Sequence, residues 1–177
     1  VDYAPAGMVS APGRHISTPL MRPEAAAAIA EMFAASVAEG AGEMQIQNSY
    51  RSYNTQVSTH QYWVNQLGDA GADAQSARAG YSEHQTGWTA DVASYPSACN
   101  IQECFGQTPQ GSWLAANAWR FGFVIRYPQG KTEITGYIYE PWHVRYVGTY
   151  LSTEMHETGI ETLEEFFGLP PAPDYAP

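Results

Sequence analysis

The chain has 177 residues, 44% hydrophobic, 13% aromatic and 15% charged, and its 18 acidic against 8 basic side chains leave a net charge of −10. Such a composition describes a globular chain long enough to bury one core, and its acidic field excludes nucleic acid and anionic membranes as attracted partners. No apolar run reaches the roughly 18 residues of a membrane span, so no membrane insertion is expected; the chain opens at Val1 with no leader pattern, which reads as an export signal removed or left out.

Residues 1–21, rich in proline, glycine and alanine, predict an extended N-terminal arm. PEAAAAIAEMFAASVAE (23–39) predicts a helix, with a proline in its first turn and Gly40 beyond its end. MQIQNSY (44–50) alternates as a strand. NTQVSTHQYWVNQLG (54–68) predicts a second helix with Asn54 as N-cap, Val57, Val64 and Leu67 on one face, and Gly68 as its stop. A loop is expected over 69–81 and a short strand over TGWTADVAS (86–94). The only two cysteines, Cys99 and Cys104, lie in a loop-like segment at a spacing that suits a small disulfide in an exported protein.

SWLAANAWRFG (112–122) predicts a third helix capped by Ser112. Three strands follow: FVIRY (123–127), a turn at PQGK, ITGYIYE (134–140) and WHVRYVG (142–148). TLEE (162–165) is a capping box for terminal helical turns, and 169–177 form a Pro-rich tail. The tetrapeptide DYAP occurs at 2–5 and again at 174–177, which reads as shared linker composition rather than a repeat. The expected fold is α+β: one domain over 22–168 with a mainly antiparallel central sheet flanked by helices.

Chemistry concentrates in SEHQTGWTAD (82–91) and YEPWHVRY (139–146). On one helix His84 and Asp91 would stand about 10 Å apart, and on one strand they would face opposite sides. They can share a metal only if the chain turns between them, and Gly87 offers the turn. His143 supplies a third ligand, three residues after Glu140, where Pro141 is expected to bend the strand and let the two side chains converge. His15, His60 and His156 read as surface or core-edge histidines.

His84, Asp91 and His143 leave a fourth coordination position open, the mark of one catalytic Zn2+. Zinc lowers the pKa of a bound water to about 7, and Glu140 is the candidate base for its proton. Arg51, in NSYRSYNTQ, is the best-placed cation for the oxyanion formed when that water attacks a carbonyl. Each residue taken singly also has a structural reading, as a core histidine, a turn aspartate or a surface salt bridge; their joint occurrence carries the catalytic one.

YRSYNTQ, GYSEHQTGWTADV and ITGYIYEPWHVRYVG, together with the joining AWRFGFVIRYPQGKTEITG, resemble the zinc D-Ala-D-Ala carboxypeptidases of the vancomycin-resistance type. These share a fold group with lysostaphin-type peptidases and the hedgehog signalling domain. The shared pattern, S-x-H-x6-D followed by E-x-W-H, is specific, and the likeness runs over about 20–168. The resemblance implies zinc ligands His84, Asp91 and His143, Glu140 as general base, Arg51 as the cation polarising the scissile carbonyl, and Ser82 and Gln56 as substrate contacts.

It further implies peptidoglycan stem peptides as substrate, action outside the cytoplasmic membrane of a bacterium, and hydrolysis of the C-terminal D-Ala as a D,D-carboxypeptidase, with L,D-carboxypeptidase, endopeptidase and a non-catalytic zinc-containing wall-binding module as alternatives. A monomer is expected. Two departures stand near the motif: Ala79, where the family often has proline, and Trp88, where it has a small aliphatic residue. The indole is expected to pack beneath the cleft or to narrow it.

Overall fold

A computed structural model describes residues 2–172. Its centre is a four-stranded antiparallel sheet built from β3 (Glu43–Asn48), β4 (Thr89–Tyr95), β5 (Phe123–Tyr127) and β6 (Glu140–Tyr146), in the order β3-β4-β6-β5. Side-chain alternation divides β4 cleanly. Ala90 and Val92 join the hydrophobic core, while Thr89, Asp91 and Ala93 face the other side. Both faces of β4 are covered, so a carboxylate is buried at the middle of the sheet.

Helix α1 (Pro23–Ala38) closes the core side. Pro23 opens it, and Ala25, Ala26, Ile29, Met32 and Phe33 recur at helical spacing and are buried. They meet Met44, Ile46, Val92 and Val144 from the sheet, and Phe105, Leu114 and Phe123 from the segments that follow β4. Within the N-terminal segment, β1 (Val9–Ser10) pairs with β2 (Leu20–Met21). Between them the chain lies along β3, where Ile16 N donates to Ile46 O (2.8 Å) and Ile46 N to Arg14 O (3.0 Å).

Three sequence expectations are corrected. Helix α2 (Tyr53–Asp73) is capped by Ser52, whose hydroxyl accepts from Thr55 N, not by Asn54; it runs through 69–73, with a break at Gly68 where φ is 73°. Its expected apolar face is not buried: Val57 is 46% and Leu67 47% exposed. The helix instead buries Gln56 and Ala72 and lines a cleft with Thr59 and Trp63. Polar contacts, not an apolar stripe, seat it.

Second, ITGYIYE is not a strand. A helical turn, α4 (Thr132–Thr135), ends at Gly136 in the left-handed region (φ 82°), and Ile138 N donates to Ala74 O beyond α2, so the chain rejoins the sheet only at Glu140. Third, α3 (Pro109–Asn117) starts before Ser112, because the Thr108 hydroxyl accepts from Gly111 N and Pro109 takes the first helical position. After β6 come α5 (Thr149–Thr158) and α6 (Leu163–Phe167), the latter capped by Thr162 through Glu165 N.

Cys99 and Cys104 form a disulfide with Cα atoms 5.6 Å apart. Just beyond it, α3 packs so closely on the preceding turn that a Cβ on Gly111 would lie 1.9 Å from the Phe105 carbonyl oxygen. Gly111→Ala is therefore expected to cost about 1–3 kcal/mol of stability, read as a lower denaturant midpoint in equilibrium unfolding.

Candidate active site

The site lies where β3, β4 and β6 come side by side. Asp91 pairs directly with His143 on β6 and with Asn48 on β3. Facing residues on neighbouring strands point to the same side, so the register alone brings Asp91 and His143 together. His143 Nδ1 lies 3.3 Å from Asp91 Oδ1, and Asn48 Nδ2 donates to Asp91 Oδ2 at 3.3 Å.

His84 arrives from the other direction. A short 3-10 turn, Glu83–Thr86, ends at Gly87, whose φ of 74° turns the chain into β4. His84 Nδ1 donates to Ser49 O at 2.6 Å, which leaves Nε2 to face Asp91 Oδ2 at 3.4 Å. Glu140 reaches the same spot through a β-bulge: between the pairs Ile125↔Val144 and Tyr127↔Glu140, the single residue Arg126 of β5 faces Pro141, Trp142 and His143 of β6. The bulge spans Pro141 and places Glu140 Oε2 3.3 Å from His143 Nδ1.

One donor atom from each of His84, Asp91 and His143 lies within 4.8 Å of the others, and all three residues are buried. Asp91 Oδ1 is buried without a hydrogen bond. Two imidazole nitrogens, one carboxylate oxygen and an unsatisfied acceptor between them fit a divalent metal.

The electrostatics agree. Burial opposes ionisation of Asp91, but His84 and His143 outweigh it and hold the carboxyl well below its usual range. Burial, aided by Asp91 and opposed by His143, pushes the Glu140 carboxyl upward. Burial disfavours a charged His143, yet Asp91, Glu140 and Glu83 raise its pKa well above that of a free imidazole.

The cluster sits in a cleft of about 400 Å³, whose walls include Arg51, Trp63, Ser82, Tyr127 and Trp142. Arg51 Nη2 is 3.8 Å from Asp91 Oδ2, and its Nη1 donates to Gln56 Oε1 at 2.9 Å. Gln56 is fully buried and donates to Ser76 Oγ (3.1 Å) and Ala77 O (2.6 Å). Its amide is thus engaged on both sides, a geometry that supports Arg51 rather than one that reaches the cleft.

The other histidines stand elsewhere. His60 Nδ1 contacts Ser76 O, His156 stacks on Trp119, and exposed His15 bridges to Ile46. Trp88 stacks on Tyr146 at 5.6 Å beneath the Arg22 guanidinium and does not line the cleft.

Sequence reasoning missed Asn48, Tyr127 and Glu83. Tyr127 packs its ring 4.7 Å from that of His143. Glu83 Oε2 lies 3.6 Å from His143 Nε2. Arg126 and Arg145 flank Glu83. Two arginines inside the otherwise apolar strands FVIRY and WHVRY were the signal, since a half-buried charge in a strand requires a partner.

Residues 18–149 match the VanY family, D-alanyl-D-alanine carboxypeptidase. The chain belongs to that family. YodJ of Bacillus subtilis is 42% identical over 147 residues, covering 83% of this chain and 53% of YodJ. Among solved structures, the LdcB LD-carboxypeptidase superposes with a TM-score of 0.85 at 38% identity, over 94% of this chain and 79% of LdcB. VanY from a VanB-type resistance cassette, solved in complex with Zn(II), gives 0.74 at 29% identity over 93% of each chain. The chain spans about half the length of the curated relatives it matches. The structures share its hedgehog-like peptidase fold, with helices flanking an antiparallel sheet.

In the metal-free protein a proton on His143 competes with metal, and the raised pKa extends that competition toward neutral pH. Metal affinity is therefore expected to fall about tenfold per pH unit on the acid side. Calorimetric zinc titrations between pH 5.5 and 8, in buffers of different ionisation enthalpy, read both the slope and the proton released.

Proposed function

We propose that the chain is a zinc-dependent carboxypeptidase that releases the C-terminal D-alanine of peptidoglycan stem peptides outside the cytoplasmic membrane. The observation that carries this reading is the convergence in one cleft of three metal-donor side chains, a buried carboxyl with a raised pKa and a guanidinium. The Cys99–Cys104 disulfide supports an oxidising compartment.

Zinc held by His84, Asp91 and His143 would supply a Lewis acid that polarises the scissile carbonyl and acidifies water. Glu140 takes the proton of the attacking water and returns it to the departing amine; its raised pKa brings both transfers closer to thermal balance at neutral pH. Arg51, held by Gln56, faces the negative charge that grows on the carbonyl oxygen. Ser82, at the head of the turn that carries His84 and in the cleft wall, is placed to contact the peptide.

For the residue before the scissile bond, the L,D reading is favoured. The likeness to the LdcB LD-carboxypeptidase, TM-score 0.85 at 38% identity, exceeds that to VanY, 0.74 at 29%. The D,D reading rests on the family's description and on a D-alanyl-D-alanine carboxypeptidase of Enterococcus faecium that is 38% identical over 82% of this chain.

Zinc-loaded protein incubated with tetrapeptide, pentapeptide and cross-linked stems is expected to release D-alanine from the tetrapeptide and to stop when a strong chelator is added. D-Alanine from the pentapeptide alone makes it a D,D-carboxypeptidase; cleavage of cross-linked stems alone makes it an endopeptidase. No product from any stem favours the wall-binding module. Glu140→Ala is expected to lower kcat by about 10²–10⁴ with zinc content unchanged. Arg51→Ala is expected to cost about 10²–10³ in the same D-alanine assay.

A further inference from the structure

The two metal-donor histidines are held in different ways. His84 spends Nδ1 on the Ser49 carbonyl, a main-chain group fixed by the fold. His143 points Nδ1 at Asp91 and Glu140, so Nδ1 is the nitrogen that would bind a metal and the ring proton then stands on Nε2. That atom is buried with no hydrogen bond. The carboxylate facing it is Glu83, whose Oε2 stands 3.6 Å away, just beyond hydrogen-bond reach.

Glu83 is itself held. Arg126 Nε lies 2.9 Å from Glu83 Oε1, and Arg145 Nη1 is 3.6 Å from the same oxygen. The two terminal nitrogens of Arg126 make a forked pair with Glu164, at 2.9 and 2.6 Å. One guanidinium thereby joins two carboxylates, with its Nε edge on Glu83 and its outer edge on Glu164. Two acids and two arginines balance in charge, and Glu164 is 7% exposed. It lies in the first turn of α6, beyond the residues 18–149 that match the family.

A ligand histidine needs its second nitrogen anchored, or the ring rotates and the donor lone pair misses the metal. The geometry points to Glu83 as the positioning carboxylate of His143, and to Glu164 as the residue that sets Glu83 through Arg126, so that the terminal helix α6 belongs to the metal centre. Glu83 touches no reacting atom in this role; it acts through the ring.

This inference rests on the metal-site half of the carboxypeptidase reading and needs no substrate, so its failure and a failure of turnover are seen separately. The zinc dissociation constant of the full chain is measured by chelator competition for wild type, Glu83→Gln, Glu164→Gln, the double variant and Glu165→Gln. The last disturbs α6 through its cap and Lys131 but not the network.

Glu83→Gln is expected to weaken zinc about 10- to 100-fold and to shift the visible spectrum of the cobalt-substituted protein. Glu164→Gln is expected to weaken zinc by a smaller factor, the double variant no more than Glu83→Gln alone, and Glu165→Gln not at all. Wild-type affinity and spectrum in Glu83→Gln overturn the positioning role. Equal loss in Glu164→Gln and Glu165→Gln overturns the link to α6. Should Glu83→Gln fail to fold, Glu164→Gln decides: unchanged zinc affinity and cobalt spectrum there sink the proposal.

Discussion

The direct pairing of Asp91 with His143 across β4 and β6 is the constraint on which the site depends. A side-chain period of two means that a slip of one residue would send every alternate side chain to the other face. Such a slip would place Val92 or Ala90 opposite His143 and turn the carboxylate into the hydrophobic core. The apolar residues of the opposite face, Ala90, Val92 and Val144, hold the register because burying Asp91 among them would cost far more than any local gain. The core thus specifies the candidate metal site from the opposite face of the sheet.

Around that fixed pair, the remaining groups arrive by departures from regular structure. His84 comes in on a 3-10 turn stopped by a left-handed glycine, and Glu140 by a bulge that adds two residues to one strand. A straight strand would put Glu140 and His143 on opposite faces. Irregular backbone is where the chain has freedom to aim a side chain, whereas the ladder itself supplies only alternation.

What was legible in the sequence follows from this. The spacing of His84, Gly87 and Asp91 required a change of direction, and Glu140, Pro141 and His143 required a bend; both are local facts, and both are met. Helix α1 was legible because its apolar residues recur with helical period against one sheet. Helix α2 misled because it is held by Gln56 and Ser52, so its exposed Val57 and Leu67 carry no packing information. Residues 134–140 alternate like a strand, yet Ile138 spends its amide on Ala74, a partner far away in the chain. Glu83 sat in plain view between two singled-out residues, but its partners Arg126, Arg145 and His143 are all distant in sequence.

The disulfide-closed segment has a different bearing. Ile101, Gln102 and Glu103 stand in the cleft wall, yet the segment leaves the sheet after Tyr95 and is anchored at its base by the buried Phe105. No metal donor lies on it. The wall is in that sense an exchangeable cassette, whose residues can be rewritten to reshape the cleft while the cluster of His84, Asp91 and His143 stays in place.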